Sequence, residues 1–222
     1  MNVDTAIRGR RSCHSYQQKD VPLDVLGELL EAGTCAPSAG NLQSWHFLVV
    51  RDASKREKLA AMSHDQTWMN EAPVYIVVCN DRDEMMRWFG EEGVLYGSQN
   101  CAVAAGLIMI KAESLGLGTC WVGGFDVDKV QELLDIPGHI IPEIIITVGY
   151  PNRLEKDDER RSLHDVISFE KFGGKADLKW IPLNKQVKKL AQKKDEVIKK
   201  GKETLKGLEE LMKVKEKVKK KE

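Results

Sequence analysis

The stretch Cys101-Ala102-Val103-Ala104-Ala105-Gly106-Leu107-Ile108-Met109-Ile110 constrains this chain more than any other. It belongs to a helical pattern that runs from about Glu84 to Ser114, and it is apolar on nearly every side. A helix without a polar face sits at the centre of a domain or in a subunit interface. Layers must therefore cover it. Pro73-Val74-Tyr75-Ile76-Val77-Val78-Cys79 is a continuous apolar run, the pattern of a strand buried on both faces. Trp45 to Val50, Thr119 to Val122 and Glu143 to Tyr150 read as further strands. The remaining elements read as helices: one capped by Asp4 and running towards Arg10, and one from about Pro22 to Thr34 with Val25, Leu26, Leu29 and Leu30 at helical spacing. A short one is capped by Ser54 and contains Leu59 and Met62, and another runs from a cap at Asp126 to Leu134. Gly116 and Gly118 close the long helix. Strands rich in β-branched residues that alternate with helices indicate an α/β sandwich around a central sheet.

At 222 residues and 42% hydrophobic composition, the chain supports one core domain with too little left for a second. No apolar run approaches the roughly 20 residues of a membrane span. Met1-Asn2-Val3-Asp4 shows no basic-then-apolar signal pattern, so a cytoplasmic location is expected. The five cysteines, Cys13, Cys35, Cys79, Cys101 and Cys120, are odd in number and lack C-x-x-C spacing. That argues against a disulfide framework or a zinc site and for small buried hydrophobes.

The formal net charge of zero hides an asymmetry. From Leu183 to Glu222 there are 15 Lys against 7 Asp and Glu, so the tail carries a surplus of positive charge and the body an equal negative one. We expect a domain over residues 1–180 and a Lys-rich amphipathic helical tail over 181–222. The tail's narrow apolar stripe is interrupted by Lys194 and Lys215 and weakened by Gly201 and Gly207, each costing about 1 kcal/mol relative to Ala. Two readings stand for it: a solvated helix packing on a partner subunit, or a contact for nucleic acid or anionic membrane. The lack of aromatic residues from Ile181 onward argues against stacking on bases.

Four stretches carry chemistry. Arg10-Arg11-Ser12-Cys13-His14 combines forked guanidinium donors, a hydroxyl and an imidazole, which suits a phosphate monoester, although alone it also fits a solvated basic patch. Pro37-Ser38-Ala39-Gly40-Asn41-Leu42-Gln43-Ser44-Trp45 offers small residues that let backbone approach a flat ligand, with Asn41 as donor and acceptor; alone it is also a plain helix-to-strand loop. Gly116-Leu117-Gly118-Thr119-Cys120-Trp121-Val122-Gly123-Gly124-Phe125 fails as a dinucleotide fingerprint, because it follows a helix and lacks the third glycine. It reads better as a strand ending in bare backbone N–H groups beside a flat cofactor. Arg160-Arg161-Ser162-Leu163 is a charged turn or a second clamp on the same phosphate.

Taken in this order, the four stretches resemble the nitroreductase family of flavoproteins over about residues 3 to 172. The resemblance implies an α+β, mixed α/β sandwich of three layers with a central, mostly antiparallel sheet, here extended by the C-terminal helix. It implies a homodimer with two FMN sites at the subunit interface. Arg10, Arg11, Ser12 and His14 would face the phosphate and ribityl chain, joined by Arg160 or Arg161. Pro37, Ser38, Ala39 and Asn41 would lie along the ring, some from the partner subunit. Val122, Gly123 and Gly124 would lie over the ring or place a backbone N–H of Gly123 at N5, and Asp65, Gln66 and Trp68 would add ring or substrate contacts. The sequence departs from the family at three positions. His14 stands where a permanent cation is common, so FMN binding is expected to weaken above neutral pH. Ser44 replaces the usual proline, which would loosen that turn. Gly123 replaces a side chain, which leaves room above the flavin.

No nucleophile–base pair or metal cluster emerges, and His46, His64, His139 and His164 are scattered. That fits a reaction whose hard step belongs to the cofactor. The expected function is ping-pong electron transfer from NAD(P)H through FMN to an electron-poor small-molecule acceptor such as a nitroaromatic or quinone. Two alternatives remain. One is another flavin reaction of the superfamily (flavin fragmentation, dehalogenation or alkene reduction), whose members usually add a lid; no clear lid motif stands between Asp81 and Gly97, although Arg82, Arg87 and Trp88 could contribute one. The other is a binding role for the basic tail.

Overall fold

The computed structural model describes residues 1–153 and 159–174. Met1–Asp157 gather into one compact unit, and 159–174 belong to a second. In the first, strands β1 (Trp45–Val50), β2 (Val74–Asp81), β3 (Gly118–Val122) and β4 (Ile140–Gly149) form one sheet in the order β1-β2-β4-β3. Every neighbouring pair is antiparallel. The helices are α1 (Val3–Gly9), α2 (Leu23–Thr34), α3 (Ala53–Met62), α4 (Arg82–Phe89), α5 (Glu92–Ser114) and α6 (Val127–Leu134), with α7 (Leu163–Val166) in the second unit.

The two-residue period of a strand explains why β2 is apolar throughout. Val74, Ile76 and Val78, with Ile144, Ile146 and Val148 of β4, pack against Leu26 and Leu29 of α2 and Cys101, Ala104, Ala105 and Ile108 of α5. Tyr75, Val77 and Cys79, with Ile145, face the opposite way onto Leu59 and Ala60 of α3 and Val130 of α6. Both faces of the sheet are covered, which makes the three-layer α+β sandwich. Each large apolar side chain so buried contributes about 1.5–3 kcal/mol.

Several expectations shift. α1 starts two residues earlier than expected: Asn2, not Asp4, is its cap, with Oδ1 accepting from the Thr5 N–H at 2.8 Å, and Asp4 lies in the first turn. Asp52, not Ser54, caps α3, accepting from the Lys55 N–H at 2.8 Å. The long helical pattern is two helices. Gly90, at φ 60, breaks it in a backbone conformation that costs glycine little. Gly116, at φ 77, closes α5, whereas Gly118 opens β3. β4 begins at Ile140, before the expected Glu143, because a bulge absorbs Pro142: Val78 pairs with Ile144 and Cys79 with Pro142, which leaves Glu143 unpaired.

α5 is long and apolar enough to cross a membrane, contrary to the expectation that no stretch would be. Its burial against the sheet and α2 makes it the core helix of this domain. The boundary at residue 180 and the helical tail 181–222 lie outside the described residues.

Candidate functional site

After α1 the chain runs extended along the free edge of β3. Ser12 forms a parallel bridge with Thr119, and the Cys13 N–H donates to the Thr119 carbonyl at 2.9 Å. The approach requires Gly118, since a Cβ there would lie 2.8 Å from Cys13 Sγ. Buried Tyr16 fixes the other end. Its hydroxyl donates to the Cys13 carbonyl at 2.8 Å and lies 2.7 Å from Thr147 Oγ1.

An extended chain sends alternate side chains to opposite sides. Arg10 and Ser12 accordingly line a cavity of about 400 Å³ with Ile7, Gly106, Met109 and Trp121. Arg11 and Cys13 line a different one, of about 430 Å³, with Glu113, Gly118 and Arg153. The Arg11 guanidinium donates to the Arg8 carbonyl and, at 2.9 Å, to that of Arg10, which closes the C-terminus of α1. The structure thus brings Arg10 and Ser12 together and turns Arg11 away from them.

His14 stands edge-on to Trp68, with ring centroids 4.5 Å apart, and its Nε2 is 3.6 Å from Cys120 Sγ. Burial pushes the Cys120 thiol up to about 11, against a smaller opposing effect of its hydrogen bond with Ser12. It therefore stays a neutral thiol beside the cavity, and a poor nucleophile. Val122 is buried at the end of β3, and bare backbone follows. A Cβ on Gly123 would lie 3.3 Å from Trp121 Nε1, and one on Gly124 would lie 3.1 Å from His64 Cδ2. The room at Gly123 is thus bordered by the indole. Asp65 follows His64 in the left-handed region, and the Gln66 amide donates to the Ser63 carbonyl at 2.9 Å. Of that segment it is Trp68 and His64 that reach the other candidate residues.

Pro37, Ser38 and Ala39 line a separate cavity of about 400 Å³ with Tyr96, Asn100 and Val103, next to which Asn41 ends a short 3-10 turn (Ala39–Asn41). It shares no lining residue with the Arg10 cavity, although both border α5. Nor is the Ser44 turn loose. Ser44 is buried, its carbonyl accepts from the Asp81 N–H at 2.8 Å, and its hydroxyl accepts from Asn100 at 3.1 Å. Arg160 and Arg161 lie exposed in the second unit just ahead of α7, where Arg161 donates to the Asp165 carbonyl at 3.3 Å.

Residue patterns alone missed Trp121, Met109, Gly106 and Ile7. A signal existed for Trp121: a large aromatic residue on an edge strand, 41% exposed between buried Cys120 and Val122. Among the described residues no group of three or more His, Cys, Asp or Glu side chains is placed to hold a metal.

The profile of the Nitroreductase family matches residues 7–68 and 61–150. A Methanothermobacter thermautotrophicus protein assigned as an NADH dehydrogenase/NAD(P)H nitroreductase is 36% identical over 155 residues, 68% of this chain and 78% of the relative. A Bacillus subtilis FMN reductase [NAD(P)H] is 29% identical over 163 residues, 67% of this chain and 66% of the relative. The solved structure of Bacillus megaterium NfrA2 superposes with a TM-score of 0.72 at 27% identity, covering 81% of this chain and 78% of that one. The chain belongs to the nitroreductase family.

Proposed function

We propose that this protein is an FMN-dependent NAD(P)H oxidoreductase acting on an electron-poor acceptor, as a homodimer in the cytoplasm. Membership of the nitroreductase family supports the class of reaction, and relatives named as FMN reductases support the cofactor and the donor. The observation that carries the reading to these residues is the cavity that joins Arg10 and Ser12 to an apolar wall of Met109 and Trp121. Its volume of about 400 Å³ is that of a small-molecule site. A forked cation and a hydroxyl beside an aromatic wall match a ligand with a phosphate and a flat ring.

In this reading Arg10 and Ser12 hold the phosphate, with His14 beside them. Arg11 acts from the neighbouring cavity by fixing the end of α1. Val122, Gly123 and Gly124 present backbone to the ring, the Gly123 N–H towards N5, and Gln66 braces the turn that carries Trp68. When bound, FMN supplies the hydride chemistry, taking electrons from NAD(P)H and passing them to the acceptor. The side chains then need only orient and exclude water, and a neutral Cys120 thiol is compatible with that role.

The homodimer is supported by an uncovered apolar face. Leu95 and Val103 of α5 are 58% and 42% exposed, and Ile7 of α1 is 54% exposed. In this reading the Pro37–Asn41 loop of one subunit meets the Arg10 cavity of the other, which is compatible with the separate lining of the two cavities within one chain. The free cysteines at positions 13, 35, 79, 101 and 120 suit a reducing compartment.

The purified protein should show visible flavin absorbance that bleaches with NAD(P)H under anaerobic conditions. A colourless protein that also refuses added FMN overturns the reading. Mixing subunits tests the shared site. With FMN held well below the dissociation constants of the variants, Arg10→Ala and Asn41→Val should each be largely inactive, whereas unfolding and refolding them together should regain roughly a quarter of wild-type activity, since half of the dimers would carry one intact site. No recovery would place each site within one chain.

A further inference from the structure

Asn100 lies on the core helix α5 and is 4% exposed. Its Oδ1 accepts from the Ala39 N–H at 3.0 Å, and its Nδ2 donates to Ser44 Oγ at 3.1 Å. A backbone N–H can only donate, so the orientation of the amide is set by its partner. An Asn side chain can accept from the amide through its oxygen and donate to the hydroxyl through its nitrogen at the same time. The two contacts fall at opposite ends of the segment from Ala39 to Ser44.

What lies between them is unusual backbone. Gly40, Asn41 and Gln43 have φ values of 58, 56 and 53, and two of these three are not glycine. Left-handed backbone outside glycine is disfavoured and persists where its surroundings over-determine it. The Ser38 hydroxyl helps by accepting from the Gln43 N–H at 3.0 Å. Ser44 is held three ways: by its burial, by its carbonyl against Asp81 and by its hydroxyl against Asn100. The restraint that a proline provides through its ring is supplied here by a hydrogen bond to the core helix.

We infer that Asn100 is a positioning residue that sets the Pro37–Asn41 loop in its ligand-receiving form, with Ser44 as its second anchor. The inference deepens the proposed function and rests on it for the identity of the ligand. The clamp itself does not depend on that identity.

The test uses Asn100→Ala, Asn100→Asp and Ser44→Ala in the full chain, with two readouts. The first is amide hydrogen exchange without added FMN. Asn100→Ala should speed exchange at Ala39 and Gln43 by roughly tenfold or more, while β2 and β4 stay protected. Asn100→Asp should keep Ala39 slow, because a carboxylate still accepts from that N–H. The second is FMN titration with the visible circular dichroism of the bound flavin. Asn100→Ala should weaken binding by roughly tenfold and change the spectrum, Ser44→Ala by about threefold, and Asn100→Asp should restore most of both.

Unchanged exchange at Ala39 in Asn100→Ala overturns the clamp. So does loosening of β2 and β4 to the same degree, which marks a general packing role. A loosened loop with unchanged FMN affinity and spectrum overturns the positioning role. If Asn100→Ala does not fold, Ser44→Ala and Asn100→Asp decide by the same criteria. If the wild-type chain takes no FMN, the proposed function and the loop's assigned ligand fall together, while the exchange experiment still decides the clamp.

Discussion

The Arg10–His14 strand and the Pro37–Asn41 loop are two candidate ligand surfaces held by opposite means. The strand is fixed by backbone pairing with Thr119, and its side chains follow from alternation alone. The loop has no strand to pair with and takes positive φ at Gly40, Asn41 and Gln43 under side-chain hydrogen bonds from α5. The strand is cationic; the loop is neutral. A charged ligand end needs only the right cation at the right parity, which a paired edge supplies. A flat ring needs backbone at a defined height, which a restrained turn supplies.

The largest effect is expected where parity decides. Arg10→Ala should weaken FMN binding by about 10- to 100-fold, the worth of a charge-assisted hydrogen bond, whereas Arg11→Ala should change it by less than about threefold. Fluorescence titration of the two variants would show it. Equal losses would mean that the two cavities do not divide the arginines as described.

Next comes the backbone approach that makes the pairing possible. Gly118→Val should destabilise the protein by about 1–3 kcal/mol through overpacking against Cys13, and should lower FMN affinity with it. Gly27 of α2 is the contrast, because a Cβ there meets nothing within 4 Å. Gly27→Ala should stabilise by up to about 1 kcal/mol. Urea unfolding of both reads the difference, and a neutral Gly118→Val would remove the close approach from the account.

Trp121 sharpens the comparison from the apolar side of the strand's cavity. Trp121→Ala should weaken FMN binding by roughly 3- to 10-fold, as expected for loss of an aromatic contact. Trp121→Phe should keep most of the affinity yet lose part of the tryptophan quenching seen on adding FMN. Wild-type quenching in Trp121→Phe would put the indole out of the ligand's reach.

The smallest effect lies beneath α5. Burial raises the Glu143 carboxyl above its ordinary value, and hydrogen bonds from Ser98, at 2.8 Å, and Asn80 pull it partly back. The folded state therefore binds the proton more tightly than the unfolded chain. Its contribution to stability is full below the ordinary carboxylate range and is lost as pH rises through the raised value. Glu143→Gln should flatten the pH dependence of Tm over that window and leave FMN binding unchanged. An unchanged slope would mean that Glu143 does not titrate there.

Much of this could be read from residue order, since period-two and period-3.6 apolar patterns are local properties. β1 came out with the expected ends, Trp45 and Val50, and α6 with its expected Asp126 cap. The caps at Asn2 and Asp52 were misread in favour of Asp4 and Ser54, because several residues near a helix start could cap it and only geometry selects one. The break at Gly90 was missed because charged residues on both sides continue a helical composition across it.

The sequence by itself determined the layers, the family and the residue types that meet a phosphate and a flat ring. Those depend on hydrophobic period and on side-chain chemistry, both of which are written along the chain. Tertiary structure alone decided which arginine turns inward, that Trp121 walls the cavity, and that Ser44 is anchored by Asn100 rather than loosened. Each is a contact between segments far apart in the chain, set by pairing register and by which atoms a packed core leaves within reach.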